Sequence, residues 1–136
     1  MIHLIIADPD HAARKALSLL LRRKLEVQKI VEADDVKTLI CALAEDIPDL
    51  LLLDWKLYGS PAPETCLLLQ KAYPHLKIIL LSVDVEDESA AKKAGADFIH
   101  KGASPDELIV MLKAFISSKN ENSKSPIQSD MKSPTR

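Results

Sequence analysis

A chain of 136 residues with 47% apolar and 28% charged residues is one domain, long enough to bury a core without staples. Its net charge of −2 gives no electrostatic reason to bind nucleic acid or a membrane surface. No apolar stretch reaches the roughly 20 residues that span a bilayer, and Met1-Ile2-His3-Leu4 leads into a strand without a signal-peptide pattern. A cytoplasmic protein is expected. Cys41 and Cys66 fall within predicted helices, far from metal-type spacing, and read as reduced thiols.

The first element is a strand, Leu4-Ile5-Ile6-Ala7, which ends in Asp8. A helix follows over about Pro9 to Lys24, with Ala13, Ala16, Leu17, Leu20 and Leu21 at helical spacing and Pro9 in a first turn. A weaker strand spans Gln28 to Glu32. Asp34 or Asp35 caps a helix carrying Val36, Leu39, Ile40 and Leu43. The third strand, Leu50-Leu51-Leu52-Leu53, ends in Asp54, and a loop from Trp55 to Pro61 contains Gly59.

A third helix spans about Ala62 to Tyr73 and stops before Pro74. Ile78-Ile79-Leu80-Leu81 ends in Ser82, and a helix over about Val85 to Ala94 follows. Glu86, Asp87 and Glu88 come early in it and Lys92 and Lys93 late, in keeping with the helix dipole, and Gly95 can end it. Phe98-Ile99-His100 ends in Lys101. Ser104-Pro105-Asp106-Glu107 is a capping box that opens the last helix. From Ser118 the polar composition predicts a disordered tail, so the domain is set at 1–117 and the tail at 118–136.

Strands that are apolar on both faces and alternate with helices predict an α/β doubly wound parallel sheet. In such a sheet the carboxyl ends of the strands share one edge, where ligands bind. Asp8, Asp54, Ser82 and Lys101 should therefore meet in one pocket. Asp54 can attack phosphorus and form an acyl phosphate. Asp8 suits Mg²⁺, a hard cation that takes oxygen ligands, though an aspartate there could equally cap the first helix. Lys101 can neutralise Asp54 and later pair with a phosphoryl oxygen, and Ser82 can donate to one. Taken singly, each of the four also reads as an ordinary loop or cap residue.

With those positions in hand, the chain resembles the receiver domain of bacterial two-component response regulators over about Met1 to Ser117. That family carries an acidic pair after the first strand and the phosphoacceptor Asp after the third. Ser or Thr follows the fourth, and Lys follows the fifth after an aromatic. These map to Asp8, Asp54, Ser82 and Lys101, with Phe98 at the aromatic switch position. The segment Lys101-Gly102-Ala103-Ser104-Pro105-Asp106-Glu107-Leu108 is similar to receivers that carry helix-turn-helix output domains.

The resemblance implies a flavodoxin-like (βα)5 fold with strand order 2-1-3-4-5, and a histidine kinase as phosphoryl donor to Asp54. It implies Mg²⁺ held by Asp8, Asp54 and the backbone carbonyl of Lys56. It also implies movement of Ser82 and Phe98 that remodels the surface of the fourth helix, fifth strand and fifth helix. Such a domain is a phosphoacceptor with at most weak self-phosphorylation and self-dephosphorylation, not an enzyme.

One departure bears on this: Pro9 occupies the second acidic position. Mg²⁺ affinity should fall, unless Asp10 reaches in from the first turn. Pro9 also favours the alternative of a degenerate receiver that serves as a phosphorylation-independent interaction module. Gly102 stands where many receivers have Pro.

Elsewhere, Trp55 is expected exposed at the pocket rim, His100 facing the helix layer, and Lys56 solvated. His3, His11 and His75 share no ligand spacing. The last helix, with Leu108, Ile109, Val110, Met111, Leu112, Phe115 and Ile116, has more apolar surface than one stripe needs, which admits a homodimer face. A small enzyme or nucleotide binder is disfavoured, because none of Gly59, Gly95 and Gly102 forms a phosphate-cradling loop.

Overall fold

The computed structural model describes residues 1–124, with side chains through Ser117. Five strands and five helices alternate: β1 (Ile2–Ala7), α1 (His11–Lys24), β2 (Val27–Ala33), α2 (Val36–Glu45), β3 (Leu50–Asp54), α3 (Ala62–Ala72), β4 (Lys77–Ser82), α4 (Asp87–Lys93), β5 (Asp97–His100) and α5 (Pro105–Lys124). The strands form one parallel sheet in the order β2-β1-β3-β4-β5, as expected for a doubly wound flavodoxin-like fold.

Leu50 to Asp54 are all buried because β3 lies mid-sheet with helices on both faces. The core has two parts. Beneath α1 and α5, Leu4, Ile6, Leu50, Leu52, Ile79, Leu81 and Ile99 pack with Leu21, Ile109 and Leu112. On the other face, Ile5, Leu51, Leu53, Ile78 and Leu80 meet residues of α2, α3 and α4, including Leu39, Leu43, Cys66 and Ala91. Burial pushes the Cys66 thiol up to about 11, so it stays protonated.

Several boundaries differ from the sequence expectation. Pro9 lies outside α1, whose N-cap is Asp10: its carboxylate accepts from the amides of Ala12 and Ala13 at 3.0 and 3.2 Å. Asp8 is thereby excused from capping. Asp35, rather than Asp34, caps α2 through the Thr38 amide at 2.7 Å, and the Thr38 hydroxyl together with that amide holds its carboxyl below the usual aspartate range.

Helix α4 is shorter than expected, beginning at Asp87, because Val85 and Glu86 belong to tight turns in which Asp87 N–H donates to Asp84 O and Glu88 N–H to Val85 O. The capping box of α5 is present: Ser104 N–H donates to Glu107 Oε1 at 2.9 Å and Glu107 N–H to Ser104 Oγ at 3.2 Å. Helix α5 itself continues past residue 117 to Lys124, since 118–124 contain neither Pro nor Gly to stop it. The tail placed at 118–136 thus begins as helix, and 125–136 lie outside the described residues.

No described helix is long and apolar enough to cross a membrane. In α5, Ile109 and Leu112 are buried and Leu108, Met111, Phe115 and Ile116 pack against the core, leaving Val110, 67% exposed, as the bare large side chain. Packing absorbs most of the apolar surplus read from the sequence.

Candidate functional site

The parallel register sets the ends of β1 and β3 side by side, with Ala7 opposite Leu53, so Asp8 and Asp54 emerge at the same edge. Both are buried, at 5% and 4% exposure. Two carboxylates out of water repel unless a cation joins them. Lys101, the residue after β5, supplies it: its Nζ lies 2.7 Å from Asp54 Oδ1 and 2.9 Å from Asp8 Oδ2. Burial opposes the lysine charge, but hydrogen bonds and Coulomb attraction from Asp54 and Asp8 prevail and raise its pKa above the ordinary lysine value. The ammonium is therefore fixed in its charged form.

The other two carboxylate oxygens face backbone. Asp8 Oδ1 accepts from Asp10 N–H at 2.8 Å and Asp54 Oδ2 from Lys56 N–H at 2.9 Å. Each oxygen thus has one donor and keeps further acceptor capacity. The loop bearing Lys56 is anchored, since Val36 N–H donates to Tyr58 O at 2.8 Å. Gly59, at φ 130°, lies so close to α2 that a Cβ would meet Val36 Cβ at 2.7 Å.

Ser82 stands at the end of β4, 3% exposed, but its hydroxyl is turned away from Asp54. Ser82 Oγ donates to Asp87 Oδ2 at 2.7 Å and accepts from Asp84 N–H at 3.1 Å. Phe98 is half-buried against the face that carries α4. Trp55, expected at the rim, is instead half-buried against that core because its backbone N–H is drawn to Leu81 O at 2.8 Å.

Two residues that sequence reasoning did not single out complete the surroundings. Arg14 donates from Nη1 to the backbone carbonyl of Asp8 at 2.7 Å and from Nε to Glu32 Oε1 at 3.1 Å. Burial works to raise the Glu32 pKa, but Lys15 and Arg14 outweigh it and hold that carboxyl below the usual range. Arg14 thus fixes the backbone after β1. Asp87 was noted only as an early helix acid, and nothing in the spacing marks it as the partner of Ser82. His3 Nε2, buried without a partner, belongs to the opposite end of β1 and not to this site.

Among the described residues no three His, Cys, Asp or Glu side chains converge to hold a metal. The pocket does offer two carboxylates with free lone pairs beside a backbone loop, all hard oxygen donors. That set fits a divalent cation such as Mg²⁺, which keeps several waters and needs only one or two carboxylates. Asp10 Oδ1 is engaged by the two helix amides that it caps.

A family model described as "Response regulator receiver domain" matches residues 4–113. The phosphate regulon transcriptional regulatory protein PhoB of Rhizobium meliloti is 35% identical over 112 residues, covering 75% of this chain and 48% of that protein. PhoB of Klebsiella pneumoniae is 35% identical over 89 residues, 62% of this chain and 39% of that one. The chain thus spans half the length or less of these curated relatives. A LuxR-family two-component response regulator from Aurantimonas sp. SI85-9A1 superposes with a TM-score of 0.80 at 20% identity, covering 87% of this chain and 86% of that one, a likeness of fold. With the match extending from β1 into α5, this chain belongs to the response regulator receiver domain family.

Proposed function

We propose that this receiver takes a phosphoryl group on Asp54 from the phosphohistidine of a partner kinase, in the cytoplasm. One observation carries the reading: a single ammonium, Lys101 Nζ, bonds both buried carboxylates at the sheet edge, at 2.7 and 2.9 Å. In the transfer an Asp54 carboxylate oxygen attacks phosphorus in line, the P–N bond breaks, and the histidine ring keeps the electron pair and takes a proton. Lys101 then pairs with a phosphoryl oxygen while retaining Asp8.

Asp8, Asp54 and the backbone carbonyl of Lys56 would hold Mg²⁺, which when bound neutralises phosphoryl charge. With Pro9 in place of an acid, the pocket carries two carboxylates and one ammonium, a formal charge of −1. A divalent cation should bind more weakly there than to three carboxylates. Catalysis by the protein itself would be at most weak self-phosphorylation and self-dephosphorylation.

A groove of about 330 Å³ between α1 and α5 supports a helical protein donor. Ala13, Ala16, Leu17, Leu20, Pro105 and Leu108 line it, and it opens beside Asp8 and Lys101. Signalling would pass through the α4-β5-α5 surface as Ser82 and Phe98 rearrange. Among the described side chains of α5, a homodimer has only Val110 in its favour.

The test is incubation with Mg²⁺ and acetyl phosphate, followed by intact mass. A gain of one phosphoryl group, abolished in Asp54→Asn, supports the reading. No gain at high donor concentration refutes it and supports the second reading, a phosphorylation-independent interaction module, which Pro9 favours.

A further inference from the structure

Ser82 has one proton to donate, and it is spent on Asp87 Oδ2 at 2.7 Å. Ser82 Oγ in turn accepts from the Asp84 amide at 3.1 Å, so the hydroxyl is engaged on both sides by the segment that enters α4. An ionised carboxylate is a stronger acceptor than a neutral one, which weights this orientation. The next residue is held as well: His100 Nε2–H donates to Val83 O at 2.8 Å. The β4–β5 register sets His100 directly opposite Ser82, and Lys101 N–H donates to Ser82 O at 2.7 Å. Gly102 leaves room for the imidazole, since a Cβ there would lie 2.6 Å from His100 Cε1.

Helix α4 has seven residues and no side-chain hydrogen bond at its cap position, Glu86. Its first residue, Asp87, is instead the one that reaches back to the strand. Ser82 therefore cannot turn toward Asp54 without leaving Asp87 and giving up the Asp84 amide.

We propose that Asp87 is a positioning residue that latches Ser82 in its resting orientation, with His100 clasping the adjoining backbone, so that anion capture at Asp54 must work against this latch. The proposal rests on the phosphoacceptor reading for its consequence, but the latch itself belongs to the resting protein. A ligand that favours the turned state must supply the free energy that releases it. Removing the latch should therefore raise affinity for a phosphoryl mimic, an outcome that simple damage to the fold would not produce.

The experiment compares the full chain with Asp87→Ala, Asp87→Asn, His100→Ala and Ser82→Ala, and with the double variant Asp87→Ala/Ser82→Ala. Beryllofluoride with Mg²⁺ is titrated and followed by amide NMR, and hydrogen exchange of the Asp84 amide is measured without ligand. Asp87→Ala should lower the beryllofluoride midpoint by roughly three- to ten-fold, the range of one released hydrogen bond. Its Asp84 amide should exchange several-fold faster. Asp87→Asn, whose neutral side-chain oxygen still accepts but more weakly, should fall between the parent protein and Asp87→Ala. His100→Ala should shift the midpoint in the same direction by less, and in the Ser82→Ala background Asp87→Ala should change nothing.

Unchanged Asp84 exchange in Asp87→Ala overturns the latch, as does a midpoint shift that persists without the Ser82 hydroxyl. An unaltered midpoint in His100→Ala strikes the clasp from the proposal. If the parent protein takes up no beryllofluoride, the phosphoacceptor reading fails, and Asp84 exchange alone then decides whether the latch exists.

Discussion

The two faces of the sheet at its β4–β5 edge are built differently. Toward α1 and α5, Ile79, Leu81 and Ile99 meet Ile109 and Leu112, all large and buried. Toward α4, Ile78 and Leu80 meet Ala91, Ala94 and Ala96, with Phe98 only half-buried beside them. Interdigitated large side chains have one good arrangement, whereas alanines against a short helix leave a neighbouring aromatic freedom to change rotamer. The stiff face fixes the backbone that carries Asp8 and Lys101. The looser face adjoins Ser82 and Phe98. The rearrangement proposed for Ser82 and Phe98 would draw on both properties within one edge.

The largest test of that contrast is stability. Leu112→Ala, at a fully buried site on the stiff face, should cost about 2–5 kcal/mol by urea denaturation. Ala91→Gly in α4 should cost only about 0.5–1 kcal/mol. Equal losses would break the comparison. Next, Lys101→Met leaves Asp8 and Asp54 facing each other without their cation. A loss of about 1–3 kcal/mol is expected, largely recovered in millimolar Mg²⁺. Failure of Mg²⁺ to restore the denaturation midpoint would mean that the carboxylates do not form a cation site.

Asp10→Ala should cost about 1 kcal/mol, the value of a lost N-cap, and should leave the Mg²⁺ dependence of that midpoint unchanged. A changed dependence would instead make Asp10 a ligand. Gly102→Ala drives a methyl into the His100 ring and should cost about 0.5–1.5 kcal/mol, with faster amide exchange confined to the β4–α4 loop. Exchange that spreads to α5 would place the looseness on the wrong face.

The smallest effect is a pH dependence. The carboxyls of Glu32 and Glu107 titrate below the usual glutamate range in the folded protein. Burial opposes this at Glu32 but is outweighed by Lys15 and Arg14, while at Glu107 the Ser104 amide and hydroxyl lower it. A lowered folded pKa gives stability that is complete above the unfolded value, about 4.3, and lost as pH falls through the folded value. Glu32→Gln should flatten the acid limb of thermal stability between about pH 4.5 and 3, with little change at pH 7.

Strand ends were legible because apolar runs such as Leu50–Leu53 are bounded by single polar residues, and parallel order then aligns those ends at one edge. Asp8, Asp54 and Lys101 follow from that periodicity alone. What sequence could not supply was direction. Asp8 before Pro9 reads as the cap of the first helix, and only the fold moves that role to Asp10 and sets Asp8 against Lys101. The orientation of the Ser82 hydroxyl depends on where α4 begins, and two tight turns defer that start to Asp87. Trp55 after Asp54 reads as a loop aromatic, and only a bond to a strand distant in sequence draws it inward. Arg14 offers no local signal, because its partners Glu32 and the Asp8 carbonyl become neighbours only when β2 docks against β1.

Lys101 reaches Asp54 across 47 residues of chain and Asp8 across 93. No fragment that ends before β5 can build this pocket, because the fifth strand, pairing at the sheet margin over only four positions, leads directly into Lys101. On the phosphoacceptor reading, competence to receive a signal therefore requires the whole sheet, β5 included. A nascent or partly unravelled molecule would be silent, so the arrangement doubles as a quality check on every copy that answers.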